Sequence, residues 1–149
     1  MNKKRLKENG VWDKIWREGV ELLNFACDVC RWQHEQGRTF VLEHPWSASS
    51  WREHRKLKDL MGLLGVERVR GDLCQFDLRV GAPGTAPSMK PTGFLSNSPE
   101  MLRELAKTCK KEHAHFRLEG GHNTKAAEIY PPKLVKALLR GAATDIENQ

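Results

Sequence analysis

The chain has 149 residues, 39% hydrophobic and 30% charged, a balance that suits one globular domain and excludes a disordered tail or a multidomain enzyme. Lysine and arginine number 25 against 19 acidic residues, and the formal net charge of +6 favours a polyanionic partner. No apolar run approaches the roughly 18 residues a membrane helix needs, and Met1 to Arg5 lead into polar sequence, so the chain reads as intracellular, nuclear or cytoplasmic, with no membrane partner. In such a compartment the four cysteines are expected as reduced thiols.

Residues 1–10, with Lys3, Lys4, Arg5 and Lys7, read as a basic arm. A single α/β domain is expected over 11–141 and a loose acidic tail over 142–149. Apolar residues at Trp12, Ile15, Trp16, Leu22, Leu23, Ala26, Val29 and Cys30 follow helical spacing and predict a helix over 12–36, closed by Gly37. The five tryptophans all fall in the first third, where a large aromatic payload should be buried. Thr39 to Leu42 reads as a buried parallel strand because it lacks polar alternation. A second helix is expected from the Ser47 cap to Leu64, stopped by Gly65. Strands follow at 66–70 and 74–80, then a Gly/Pro loop at 81–87 and an extended segment at 93–96. Ser98-Pro99-Glu100 opens a helix reaching about Lys111, and Pro131-Pro132 opens a last helix stopped by Gly141.

Ligand sites in open α/β sheets lie beyond the carboxyl ends of strands, where Glu43-His44-Pro45 is expected. Glu43 could there hydrogen-bond a base edge or a protonated ring nitrogen, or it could simply cap the next helix. Arg52, Arg55, Lys56, Lys58, Arg68 and Arg70 form either a phosphate-binding face or a solvated one. Lys90, flanked by a Gly/Pro-rich loop, is a candidate phosphate contact or a solvated lysine. Trp46 and Trp51 could stack on a base, although tryptophans beside a helix start are usually core.

Two groups of sulfur and imidazole stand out: Cys27, Cys30 and His34 on the first helix, and Cys109, His113 and His115. If the groups met they could build a tetrahedral zinc site. Cys27 and Cys30 fall on the apolar stripe, however, where cysteine behaves as a small hydrophobe, and no metal is assigned from sequence.

Phe40-Val-Leu-Glu43-His-Pro45 resembles the strand and Glu-Asn-Pro box of cytosine DNA methyltransferases, with His44 in place of asparagine. Cys74-Gln-Phe76 followed by Lys90-Pro91-Thr92-Gly-Phe94-Leu-Ser-Asn97 resembles a stretch of phage-type and retroelement-encoded relatives, with Asp77 standing where glycine is usual. Ala126-Ala-Glu-Ile-Tyr130-Pro131-Pro132-Lys-Leu134 resembles the closing Gly-Asn-x-Val-Pro-Pro-x-Leu box and its helix. The resemblance covers about residues 20–141 and is nearest to the methyltransferase-like domain embedded in copia-type retrotransposon polyproteins. It implies a partial Rossmann-like methyltransferase sheet with flanking helices, S-adenosylmethionine as donor and DNA as acceptor. By this resemblance Glu43 would contact the flipped cytosine, and Tyr130, Pro131 and Pro132 would lie near the donor. Lys90, Thr92, Arg52 and Arg55, with Glu43, are the candidate nucleic-acid contacts.

The family's nucleophile is a cysteine that follows a proline, and its donor loop carries Gly-x-Gly. Neither pattern occurs in this chain. Both are expected upstream of Met1, so the chain alone should not transfer methyl groups. The other readings are a basic α/β module that binds nucleic acid without chemistry, and an interaction module whose exposed sheet edge pairs with a missing half or a second copy.

Overall fold

The computed structural model describes residues 10–82, 85–118 and 121–148; nearly all of the basic arm and the last residue lie outside them. The expected first helix is α1, Val11–Glu35, entered from Gly10 at φ 68° and left through Gly37 at φ 66°. Its inward face carries Leu23, Cys27 and Cys30, whereas Trp16 and Trp32 are more than half exposed. Of the five tryptophans only Trp51 is buried, because the apolar residues of α1 encircle more of the helix than one packing face can cover.

Three strands form one sheet in the order β1-β3-β2. β1 (Val41–Pro45) and β2 (Glu67–Asp72) each pair antiparallel with the central β3 (Pro91–Ser96). The parallel pairing expected for 39–42 is therefore overturned: β3 enters between the two earlier strands and takes the inner hydrogen-bonding edge of each. β1 and β2 consequently run in the same direction without touching, joined through helices in the manner of a split β-α-β unit. Among the described residues no strand pairs with their outer edges.

The two-residue period of β3 sends Phe94 to one side of the sheet and Leu95 to the other. On Leu95's side lie α1, the short α2 (Ser50–Glu53) and α3 (Arg55–Met61), enclosing Trp51, Leu57 and Leu60. A single helix from Ser47 to Leu64 does not form. His54 is extended at ψ 116°, and its Nδ1 accepts the Leu57 amide at 3.2 Å, so one helix ends there and the next is capped. On Phe94's side lie α4 (Pro99–Leu105) and α6 (Pro132–Glu147), enclosing Leu102, Leu105, Leu134 and Ala137. A short helix, α5 (Gly121–Ala126), precedes α6. The chain is thus mixed α/β, with helices on both faces of a small antiparallel sheet. No described helix is long and apolar enough to cross a membrane.

Four further expectations are corrected. The run 74–80 is not a strand; Leu73–Phe76 forms a 3₁₀ turn, and the segment beyond it has no neighbouring strand to pair with. The helix opened by Ser98 and Pro99 stops at Leu105, with Ala106 leaving helical geometry at ψ 61°. Gly141 does not stop the last helix but lies inside it, where the missing side chain lets α6 approach the backbone of Met101. The tail is not loose up to Glu147: Asp145 accepts hydrogen bonds from the Thr39 hydroxyl and, at 2.9 Å, from the Ser98 hydroxyl. Ser98 also caps α4 by accepting the Met101 amide at 3.2 Å, so one short polar link ties both ends of the domain together.

The α4–α6 contact sets a pair of opposite expectations. A Cβ at Gly141 would stand 2.6 Å from Met101 Cα, a backbone atom that cannot swing away, so Gly141→Ala should destabilise the fold by about 1–3 kcal/mol. Gly19, exposed inside α1, has nothing within 4 Å of the same position, and Gly19→Ala should stabilise by about 0.5–1 kcal/mol. Urea unfolding of both variants with unchanged slope checks the pair; equal effects of one sign would contradict the close approach.

Candidate functional site

Pro45 lies opposite Thr92, and Asp72 opposite Pro91, so the carboxyl ends of β1 and β2 meet the start of β3 at one end of the sheet. Val41 packs into the core on Phe94's side, and Glu43, two residues on, points the same way. The loop before α6 brings Tyr130 to it. The Tyr130 hydroxyl donates to Glu43 Oε2 at 3.1 Å, a contact between residues 87 apart in the chain. Burial, followed by the adjacent Glu43 charge and the hydrogen bond to it, pushes the phenol up to about 12.

Lys90 stands just before β3 with φ 34°, an uncommon backbone state for a residue with a Cβ, and its Nζ donates to the Ala127 carbonyl at 2.7 Å. That bond draws the segment leading to Tyr130 against the start of β3. Two links thus join three separate stretches of sequence: Lys90 holds the segment that carries Tyr130, and Tyr130 meets Glu43 midway along β1, opposite Phe94. Pro131 and Pro132 start α6 and line a cavity of about 400 Å³ together with Tyr130, Asp77 and Arg79. Asp77 adopts φ 63°, ψ 35°, the left-handed geometry that glycine accepts most freely and aspartate tolerates. The departure from glycine at this position thus keeps the turn. Its carboxyl is held below the usual range mainly by the hydrogen bond from Arg79, at 2.7 Å, with Lys133 adding attraction at 3.5 Å.

Other residues named from sequence fall elsewhere. Thr92 is fully buried, its hydroxyl donating to the Lys90 carbonyl at 3.0 Å, so its side chain does not reach a surface where a phosphate could meet it. Arg52 and Arg55 lie on α2 and α3, on the opposite face of the sheet from Tyr130. Arg55 is solvated and only 3.9 Å from Asp59, whereas Arg52 borders a cavity of about 340 Å³ with Trp46, Ser47, Trp51 and Arg68. The guanidinium of Arg68 is stacked between two indoles, 4.2 Å from the Trp46 ring and 4.6 Å from that of Trp51. Trp51 additionally donates its Nε1 proton to the Pro45 carbonyl at 2.8 Å, which fixes the arrangement. The ring faces that could have received a base are therefore shared with a cation, a pairing that spacing alone did not reveal.

His44, opposite in facing to Glu43, places Nε2 at 2.6 Å from Ser50 Oγ and sits edge-on to Trp51. Burial lowers its pKa, so the neutral ring is favoured. This pair, beside a cavity of about 320 Å³ lined by Trp16, Glu53 and His54, is another grouping missed from sequence.

The two sulfur and imidazole groups do not meet. Cys27 and Cys30 lie in the core between α1 and α3, where burial pushes both thiols up to about 11, and His34 stands 3.3 Å from the Asn97 amide nitrogen. Cys109, His113 and His115 gather instead around Cys74.

No family model, no curated protein and no solved structure matches this chain.

The sole tyrosine makes the Glu43 contact directly measurable. Tyrosinate absorbance should titrate near 12 instead of the ordinary 10, and Glu43→Gln should bring the midpoint only part of the way down, because burial is the larger cause. Since the folded pKa is raised, the associated stability is fully present below pH 10 and is lost as pH climbs from 10 towards 12. A midpoint of 10 in the native chain would mean that Tyr130 lies free of Glu43 in solution.

Proposed function

We propose that the chain is the acceptor-side and closing portion of a cytosine-DNA-methyltransferase-like domain, one that engages DNA but does not transfer methyl groups by itself. The observation that supports this most is the contact of Tyr130 with Glu43. Stretches that resemble the first and last of three successive family boxes are far apart in sequence, yet Tyr130 meets Glu43 in the middle of β1, and Lys90 of the intervening box tethers the segment leading to Tyr130 through the Ala127 carbonyl. Tyr130 occupies one oxygen of Glu43. Among the described residues the other has no hydrogen-bond partner, and a carboxylate oxygen in that state accepts from an exocyclic amine or a protonated ring nitrogen. The turn around Asp77 and the cavity at Pro131 and Pro132 are where a donor such as S-adenosylmethionine would be sought.

Methyl transfer to carbon-5 of cytosine needs a thiolate on the base, and no cysteine here follows a proline. At a pKa of about 11, Cys27 and Cys30 are thiolate to about one part in 10⁴ at neutral pH, so neither substitutes. A partial Rossmann-like sheet belongs to the same proposal, resting on the helices that cover both faces: further strands would add at the outer edge of β1, which no strand among the described residues occupies. Leu22, Phe25, Val29 and Trp32 form an exposed apolar stripe on α1, the kind of surface a complementary half or a second copy would cover.

A second reading, a basic module that binds nucleic acid with no methyltransferase relationship, is favoured by Arg68 and Arg52. Among the described residues neither has a carboxylate partner, and the two indoles hold the Arg68 guanidinium in place with little left to order on binding a phosphate.

Fluorescence anisotropy with duplex and single-stranded DNA over a salt series tests both readings. Log affinity should fall with log salt at about 0.9 per neutralised phosphate, and Arg52→Ala with Arg68→Ala together should reduce that slope by about 2. Salt-independent or absent binding would overturn both. Glu43→Gln distinguishes them: loss of about 1–3 kcal/mol of base discrimination supports the methyltransferase-like reading, and an unchanged base profile leaves the basic module.

A further inference from the structure

We propose that Cys74, Cys109, His113 and His115 bind one Zn²⁺ ion in a closed tetrahedral site. The four donor atoms all lie within 4.8 Å of one another. Cys109 Sγ is 3.4 Å from His115 Nε2 and 3.7 Å from His113 Nε2. Tetrahedral zinc with sulfur at about 2.3 Å and nitrogen at about 2.0 Å separates neighbouring ligand atoms by about 3.3–3.8 Å, so these two spacings already match a filled site. Both imidazoles aim the same nitrogen at one sulfur, and their rings pack edge to face with centroids 4.6 Å apart.

The elements around the donors hold them in place. Cys74 is buried in the 3₁₀ turn directly after β2, so one ligand is fixed to the sheet. Asp72, at the end of β2 and fully buried, accepts the Cys109 amide at 2.7 Å, and its own amide donates to the Lys107 carbonyl at 2.9 Å. The carboxylate also accepts from Arg70 at 2.8 Å, so its charge is balanced without help from the cluster. Lys111 adopts φ 61°, and the resulting turn brings its amide to within 3.2 Å of Cys109 Sγ, as expected of a donor supporting a metal-bound thiolate.

The donor set selects the metal. Two thiols and two imidazoles are borderline ligands, and a tetrahedral S₂N₂ arrangement suits zinc over magnesium or calcium, which take oxygen. Binding would release two thiol protons, and the two thiolates would neutralise the charge of the ion. With four protein ligands no position remains for water or substrate, so the role is structural. The segment 106–118 has no regular secondary structure, and an ion joining Cys109, His113 and His115 to Cys74 would fasten it to the sheet. Because His115 to Leu118 also border the cavity of about 360 Å³ next to Lys90, the ion would support one wall of the candidate site.

The test uses the full chain. Elemental analysis after purification, or titration of metal-free protein with Zn²⁺ against a chromophoric chelator, should show about one ion per chain with a Kd of about 10 nM or tighter. Co²⁺ should give the strong visible bands of tetrahedral coordination together with sulfur-to-cobalt charge transfer in the near ultraviolet. Cys109→Ser, and His113→Asn with His115→Asn, should weaken zinc binding at least tenfold, while Cys27→Ser with Cys30→Ser should leave it unchanged. If Cys109→Ser does not fold, His115→Asn alone should still alter the Co²⁺ spectrum, because that half-buried ring can be replaced without disturbing the core. An octahedral Co²⁺ spectrum, weak binding to the native chain, or loss of the ion only in the Cys27 and Cys30 variant would overturn the site.

Discussion

The position of β3 constrains everything else. A strand paired on both edges and covered on both faces must satisfy its backbone through its neighbours and fill two separate cores with alternate side chains. From Thr92 to Ser96 the strand is buried at every position. Phe94 supplies one core and Leu95 the other. Two glycines keep this crossing compact: a Cβ at Gly93 would fall 2.8 Å from the Trp51 ring, and one at Gly71 of β2 would fall 2.6 Å from the Leu105 carbonyl and 2.7 Å from the Phe94 ring. Sheet and helices therefore approach through the backbone, and the two layers cannot shift independently of β3.

The polar residues that follow β3 make the constraint directional. The Ser96 hydroxyl donates to the Phe40 carbonyl at 2.5 Å, and Asn97 accepts the Phe40 amide at 3.0 Å while donating to the Arg38 carbonyl at 2.9 Å. These bonds fix the entry to β1 in the register that brings Leu42 opposite Leu95. A slip by one residue would send Glu43 to Leu95's side, away from Tyr130, and Leu42 to Phe94's. The orientation of the carboxylate is thus a consequence of bonds at the other end of the strand.

Local signals in the sequence identified elements wherever the chemistry is local. Ser98-Pro99 and Pro131-Pro132 start helices because a hydroxyl cap and a ring-fixed φ act on their own first turn. Glu43 is legible because a carboxylate ending an apolar run is visible without any tertiary knowledge. Strand pairing was not legible: an apolar run looks the same in either direction, and what made 41–45 antiparallel was a strand nearly fifty residues later. The run 74–80 looks like a strand in sequence because burial without a partner produces the same apolar composition as burial within a sheet. Gly141 is ambiguous for a related reason, since a glycine that permits close helix packing and one that ends a helix are the same letter. The grouping of Cys74 with Cys109 was equally hidden, because 35 residues and a whole strand of chain separate them.

The arrangement of strands also accounts for where the unusual chemistry accumulates. β1 and β2 run in one direction, so both of their carboxyl ends, with the polar groups that follow a strand, lie beside the start of β3. Pro45 stands at the first end, with Glu43 two residues back along the strand, and Asp72 with Cys74 at the second. Lys90, entering β3, lies between them and is bonded across to the segment that carries Tyr130. The Cys74 and Cys109 thiols and the His113 and His115 imidazoles lie at this end, in loops that can be shaped without disturbing either core. That separation is why the Glu43–Tyr130 contact and the Cys74–Cys109 cluster can differ in purpose and still depend on one another. The first needs the loops near Lys90 to hold their shape, and the second is placed to hold the stretch that reaches Phe116 and Leu118, which pack against the core on Phe94's side.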